Sequence, residues 1–308
     1  MVNIVTKIYS IIAKYMHCHV CQLYDLKLLK AGMTNRSYSF LFNKNRYIIR
    51  IPGEGTEKLI NRYEEYEVYK AIDSFTIGEE VISFDPDTGI KIAKFFENAR
   101  CCDSNSIEDV QKCMDILRAF HEKKICVKHS FDLWGKIDFY QELRGTVPSI
   151  YSDYNSVKEN VFRLKPYIES NIRENVLCHV DAVPDNFLFI AAGDENIKII
   201  DWEYAGMQDP DIDIAMFAVY SMYDRNEVDK LIDSYYHNEC STAIRLKIYC
   251  YIACVGLLWS NWCEYKKLLG IEFGAYAEHQ YKYAQEYVEV FEKAYSSSFG
   301  KEYHESFN

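Results

Sequence analysis

His179, Asp181 and Asn186 fall within the eight residues His179-Val180-Asp181-Ala182-Val183-Pro184-Asp185-Asn186, and Asp201-Trp202-Glu203 begins fifteen residues after Asn186. Phosphoryl transfer to a hydroxyl needs a carboxylate that orients the hydroxyl and accepts its proton. It also needs oxygen donors that hold magnesium on the phosphates and a cation that offsets phosphate charge. Asp181 has the type and place for the base. Asn186, in the same loop, and Asp201 suit the metal. Any one of them alone could be a turn residue; their joint spacing points to this chemistry.

The elements that must position these groups follow from pattern. Phe187–Ile190 and Ile197–Ile200 read as a short β-hairpin turning through Gly193-Asp194-Glu195-Asn196. An antiparallel pair returns the chain to its start, which brings residues 186 and 201 together. Upstream, Ile4, Val5, Ile8, Ile11, Ile12 and Tyr15 recur at helical spacing. Leu26–Leu29, Ser37–Phe42 and Tyr47–Ile51 read as strands, with a hairpin turn at Asn43-Lys44-Asn45. A helix is expected from about Thr56, as N-cap, to Ile72, then strands Val81–Phe84 and Ile90–Phe95. Beyond about residue 99 the patterns are helical: Ile107–His121, Asp153–Ser170, Val228–Tyr236, Thr242–Lys267 and Tyr276–Tyr295. The expected fold class is α+β. Residues 1–98 form an N-terminal lobe, a small antiparallel sheet with one cross helix, and residues 99–308 a mainly helical C-terminal lobe. A short hinge near Phe96–Arg100 joins them.

Composition narrows the function classes. The 308 residues are 49% hydrophobic, enough for a sizeable core. A formal net charge of -11 argues against a nucleic-acid partner, because duplex binding rests on neutralising phosphates. Eleven cysteines without framework spacing read as reduced thiols. His17-Cys18-His19-Val20-Cys21 lacks the second ligand cluster that a structural zinc requires. Lys7 and Lys14 interrupt the first helix, so no signal peptide is read there, and Ile248–Trp259 is too short an apolar stretch to span a bilayer. These features imply a cytoplasmic protein without membrane insertion.

The segment His179-x-Asp181-x-x-Pro184-x-Asn186 resembles the catalytic loop of the protein-kinase superfamily, with Asp201 where that superfamily keeps its second metal ligand. Ile200-Asp201-Trp202-Glu203-Tyr204-Ala205-Gly206, Asp209-Pro210 and Asp213 are similar to the choline/ethanolamine kinase family, its bacterial choline kinases above all. So are Gly32-Met33-Thr34-Asn35, Arg50-Ile51-Pro52-Gly53, Leu117-Arg118-Ala119-Phe120-His121 and Trp259-Ser260-Asn261-Trp262. Val183, where protein kinases usually carry a Lys, and Trp202-Glu203 in place of Phe-Gly favour a small-molecule acceptor over a peptide.

The resemblance implies a protein-kinase-like fold, related to aminoglycoside phosphotransferases, with ATP and Mg2+ as cofactors and choline as acceptor. Ethanolamine, an aminoglycoside, or a catalytically silent nucleotide-binding role are the alternatives, and the oligomeric state is open, a homodimer included. Gly32–Ser37 resembles the family's phosphate-covering loop, which makes Thr34, Asn35 and Ser37 nucleotide donors and Arg50 the phosphate cation. A helix glutamate should pair with Arg50. Glu65 shares a face with Val68 and Ile72, with Glu64 and Glu67 as alternatives. His179 and His121 are expected to be structural, and Asp213 to brace the catalytic loop. A quaternary ammonium donates no hydrogen bond and is best held by aromatic faces. Trp259 and Trp262, i and i+3 on one helix, match the family's W-x-x-W. Tyr220, Tyr223 and Tyr276 are weaker candidates among 26 tyrosines, and each reads equally as a packing residue.

Overall fold

The structure is a computed structural model that describes residues 4–31, 35–53, 56–190 and 196–300. Backbone contacts divide the chain into two compact units, Met1–Cys102 with Asp185–Ala205, and Asp103–Pro184 with Gly206–Asn308.

In the first unit, alternation of apolar and polar residues builds five strands: β1 (Leu23–Ala31), β2 (Asn35–Phe42), β3 (Asn45–Pro52), β4 (Val81–Asp85) and β5 (Ile90–Lys94). They form one antiparallel sheet in the order β1-β2-β3-β5-β4. Asn43 and Lys44, both at positive φ, make the tight turn whose twist matches a hairpin. One sheet face carries Phe40, Ile49 and Ile92, buried with Ile8 and Ile12 of α1 (Ile4–Tyr15). Period-two alternation puts Arg50 on the other face. There it meets α2 (Arg62–Ile72), whose Glu65, Val68 and Ile72 are buried.

The helix expected from Thr56 starts later. Residues Thr56–Lys58 make a single 3-10 turn in which the Thr56 hydroxyl donates to the Gly53 carbonyl at 2.8 Å. The N-cap is Asn61, whose side chain accepts from the N–H groups of Tyr63 and Glu64 at 3.1 and 3.4 Å. Two satisfied orphan donors fix the helix start there, and Thr56 is already bonded backwards.

Arg100–Cys101 pairs with Phe187–Phe189, which pairs in turn with Ile197–Ile199. That pairing draws Asp185–Ala205 into the first unit, although a boundary after residue 98 puts the segment in the second. Of the expected hairpin turn, residues 193–195 lie outside the described residues.

The second unit is mainly helical: α3 (Ile107–His121), α4 (Leu133–Glu142), α5 (Tyr154–Phe162), α6 (Lys165–Asn171), α7 (Asp211–Tyr220), α8 (Arg225–Tyr236), α9 (Thr242–Leu268) and α10 (Ala275–Phe299). The single helix expected over Asp153–Ser170 is two helices. Pro166, in the first turn of α6, has no N–H to bond the carbonyl four residues back, so one continuous helix cannot run through it and a new helix starts there. Helix α9 packs against α4, α7 and α10 and is buried almost throughout. The α9–α10 approach needs Gly256: a Cβ there would lie 2.7 Å from the Gln280 carbonyl oxygen. At 27 residues α9 is long and apolar enough to cross a membrane by length and composition, but 83% of its most apolar window is buried inside the protein.

Candidate active site

In the first unit the sheet supplies a row of polar side chains. Ser37 on β2, Arg50 on β3 and Lys91 on β5 are direct cross-strand neighbours. Arg50 is the centre of a buried ion network. Its Nη2 lies 2.6 Å from Glu65 Oε1, and its Nη1 lies 3.1 Å from Asp201 Oδ1 and 3.5 Å from Glu203 Oε2. Arg62 bridges the same carboxylates, at 2.7 Å from Glu65 and 2.9 Å from Glu203. The partner of Arg50 is therefore Glu65; Glu64 and Glu67 are exposed. Burial alone would push the Glu65 carboxyl up, but Arg50, Lys91 and Arg62 outweigh it and hold it below its ordinary value.

Asn35 is expected as a nucleotide donor. Its side-chain amide donates to Glu203 at 2.8 Å and its oxygen accepts from Arg62 at 3.0 Å, so it belongs to the ion network. Ser37 is half-buried beside Arg50, and Thr34 lies outside the described residues.

Asn186 and Asp201 flank the two paired strands, and the Ile200 N–H donates to the Asn186 carbonyl at 2.9 Å. The Asp201 side chain keeps 35% exposure. Burial and neighbouring Glu203 push its carboxyl up to about 7, against the pull of Arg50. Oxygens of Glu65, Asp201 and Glu203 all lie within 4.8 Å of one another. Glu65 and Glu203 each meet both guanidinium groups, whereas Asp201 meets Arg50, at 3.1 Å. With the Asn186 amide it offers hard oxygen donors that fit a magnesium ion.

In the second unit, Asp213 at the start of α7 reaches back to the loop that carries Asp181. Its two carboxylate oxygens accept the backbone N–H groups of His179 and Val180. His121 Nε2 sits 3.0 Å from the same carboxylate, and its Nδ1 sits 2.8 Å from the Tyr235 hydroxyl, so His121 is a packed, bonded residue.

Five rings form a continuous run in the same unit. Trp259 meets Trp262 edge-on at 5.9 Å, Trp262 meets Phe273 at 5.0 Å, Phe273 meets Tyr276 at 6.4 Å and Tyr276 meets Tyr220 at 6.0 Å. Burial raises the Tyr276 hydroxyl well above its ordinary pKa, and the charges of Cys263 and Asp181 add to the effect. The Trp262 ring already has a cation nearby, the Lys266 ammonium at 5.4 Å from its centre. Its buried Nε1–H has no hydrogen-bond partner among the described residues. Tyr223 is anchored differently. It lies past the end of α7, packs on Phe217, and donates its hydroxyl to the Ser104 carbonyl.

Sequence reasoning passed over Arg62, Lys91, Glu79 and Phe273, and quoted Glu203 only within a motif. Arg62 carries a readable signal, three residues before Glu65 on one helix face. The others become partners only through tertiary contacts.

A family model for choline/ethanolamine kinase matches residues 26–250. Protein LicA of Haemophilus influenzae is 28% identical over 262 residues, covering 80% of this chain and 75% of the relative. A crystal structure of choline kinase LicA from Streptococcus pneumoniae is similar with a TM-score of 0.80 and 28% identity, covering 93% of this chain and 99% of that one. A structure of LicA in complex with AMP is 29% identical, with a TM-score of 0.75 and coverage of 87% and 92%. The fold is the kinase-like α+β arrangement these structures share, and the chain belongs to the choline/ethanolamine kinase family.

Proposed function

We propose that this kinase transfers the γ-phosphate of ATP to the hydroxyl of choline, giving phosphocholine and ADP. The observation that carries the choline assignment is the run Trp259, Trp262, Phe273, Tyr276 and Tyr220, whose Tyr276 feels the charge of Asp181. Aromatic faces attract a trimethylammonium head that cannot donate hydrogen bonds, by about 0.5–2 kcal/mol per contact. The similarity to a structure named as a choline kinase, and to one solved with AMP, supports choline as acceptor and an adenine nucleotide as donor.

In this reading the acceptor oxygen bonds to the γ-phosphorus as the bond to the bridging oxygen of ADP breaks, and Asp181 takes the hydroxyl proton. Arg50, oriented by Glu65, offsets phosphate charge; Ser37 and Thr34 donate to the nucleotide. Asn186 and Asp201 would hold Mg2+, which neutralises the phosphates when bound. In this reading the enzyme is cytoplasmic.

The rival acceptor is ethanolamine, which shares the family's name. Its primary ammonium donates hydrogen bonds, which a wall of rings serves poorly. A coupled ADP-release assay with choline, ethanolamine, thiamine and kanamycin decides: turnover on choline at the highest kcat/KM is expected, and turnover on another acceptor alone would overturn the choline assignment.

A further inference from the structure

Asp201 has φ +65, a left-handed backbone that a non-glycine residue holds only where its surroundings fix it. Two groups do so. The Asp201 N–H donates to Glu79 Oε2 at 3.2 Å, and the next N–H, of Trp202, points to the Tyr69 hydroxyl at 3.5 Å. Both acceptors are gripped by one cation. The Lys91 ammonium is paired with Glu79 Oε1 and hydrogen-bonded to the Tyr69 hydroxyl. It also lies 3.9 Å from Glu65 Oε1, on the carboxylate oxygen that Arg50 uses. Lys91 is 4% exposed and stands directly across the strand pair from Arg50.

We propose that Glu79, clamped by Lys91, is a positioning residue that sets the backbone conformation of Asp201 and so the direction in which its carboxylate faces the metal. The inference rests on the assignment of Asp201 as a magnesium ligand. Arg50 and Lys91 divide the work on the carboxylates: Arg50 touches the Asp201 side chain, and Lys91 controls its main chain through Glu79 and Tyr69.

The first test is amide hydrogen exchange in the nucleotide-free protein. In Glu79→Ala the Asp201 amide should exchange about 10-fold faster or more, the loss of roughly one hydrogen bond. The Leu188 amide in the neighbouring hairpin should keep its rate. Glu79→Gln, which retains an oxygen acceptor but not the ion pair, should fall between, and it decides the question if the alanine variant fails to fold. In turnover, Glu79→Ala should raise the half-saturating magnesium concentration about 10-fold, as partners behind a metal ligand typically do. The acceptor KM should stay within about twofold, since a positioning role touches the metal and not the acceptor. An unchanged Asp201 exchange rate in folded Glu79→Ala overturns the proposal, as does an acceptor KM that rises in step with the magnesium requirement. If Asp201 is not a metal ligand, Asp201→Asn keeps the wild-type magnesium titration, and the exchange rates alone then decide whether Glu79 holds the Asp201 backbone.

Discussion

The Asp213 carboxylate accepts the His179 N–H through one oxygen at 2.8 Å and the Val180 N–H through the other at 2.7 Å. Val180 has φ +66, which is strained for a β-branched residue and costs of order 1–3 kcal/mol. The carboxylate is itself fixed by His121, and His121 by Tyr235. The loop that carries Asp181 is therefore held from α7 by a buried chain of three side chains.

Asp213→Asn should disturb this loop without removing any group that touches substrate. One oxygen becomes an NH2 facing a backbone N–H donor, so one of the two loop bonds is lost. A shift of about an ångström at Asp181 is enough for a roughly 10²-fold fall in kcat. Steady-state kinetics alongside a melting curve check it. Full turnover in Asp213→Asn would show that the loop holds its shape without the bidentate grip.

Asp181→Asn should lower kcat by about 10²–10⁴-fold, the usual share of a general base, while nucleotide binding stays near wild type. Calorimetric titration with ADP separates the two effects. A variant that keeps most of its turnover removes Asp181 from the base role.

Arg50→Met should both weaken ATP binding and destabilise the first unit. It leaves Glu65 with one arginine fewer, and breaking a buried pair typically costs about 3–5 kcal/mol. Arg50→Lys should be intermediate, because a single ammonium cannot replace a guanidinium that meets Glu65 through one nitrogen and Asp201 through another. Denaturant midpoints and KM for ATP test this. Wild-type values of both in Arg50→Met would reduce the network to an incidental ion cluster.

The parts legible in the sequence are those set by local pattern. Alternation located all five strands of the first sheet, and the spacing from Asn186 to Asp201 placed both beside one hairpin. Helical periodicity favoured Glu65, with Glu64 and Glu67 as alternatives, as the residue that faces Arg50. What escaped depends on partners distant in sequence. Asn35 looks like a loop donor until Arg62 and Glu203 close on it. Lys91 looks like an ordinary strand charge, although it is buried between Glu79 and Tyr69. Helix α4 has a weak apolar period and a glycine, Gly135, in its first turn, and its packing against α9 marks it.

Gly256→Ala should destabilise the second unit. The added Cβ would sit 2.7 Å from the Gln280 carbonyl oxygen, 2.8 Å from Tyr283 Cβ and 3.0 Å from the Ala284 nitrogen. Two of these three are backbone atoms of α10, so the helices must move apart, at about 1–3 kcal/mol for overpacking. A chemical-denaturation midpoint equal to wild type would mean that α9 and α10 pack less closely.

Trp262→Ala is the sharpest test of the acceptor. Trp262 stands between Trp259 and Phe273, so its removal breaks the aromatic run in the middle. Loss of one strong cation–π contact, about 1–2 kcal/mol, corresponds to a roughly 5- to 30-fold rise in KM for choline. KM for ATP should not move. Trp262→Phe should lie between the two, because a weaker π-face remains. Ethanolamine should lose less than choline, since its ammonium can turn to hydrogen-bond acceptors. The variant must be folded to be informative, because truncating a buried tryptophan typically costs about 3–5 kcal/mol, so a melting curve accompanies the kinetics. If folded Trp262→Ala and Trp259→Ala both kept the wild-type KM for choline, the two rings would be packing residues. Lys266 would then be the cation that the Trp262 face holds.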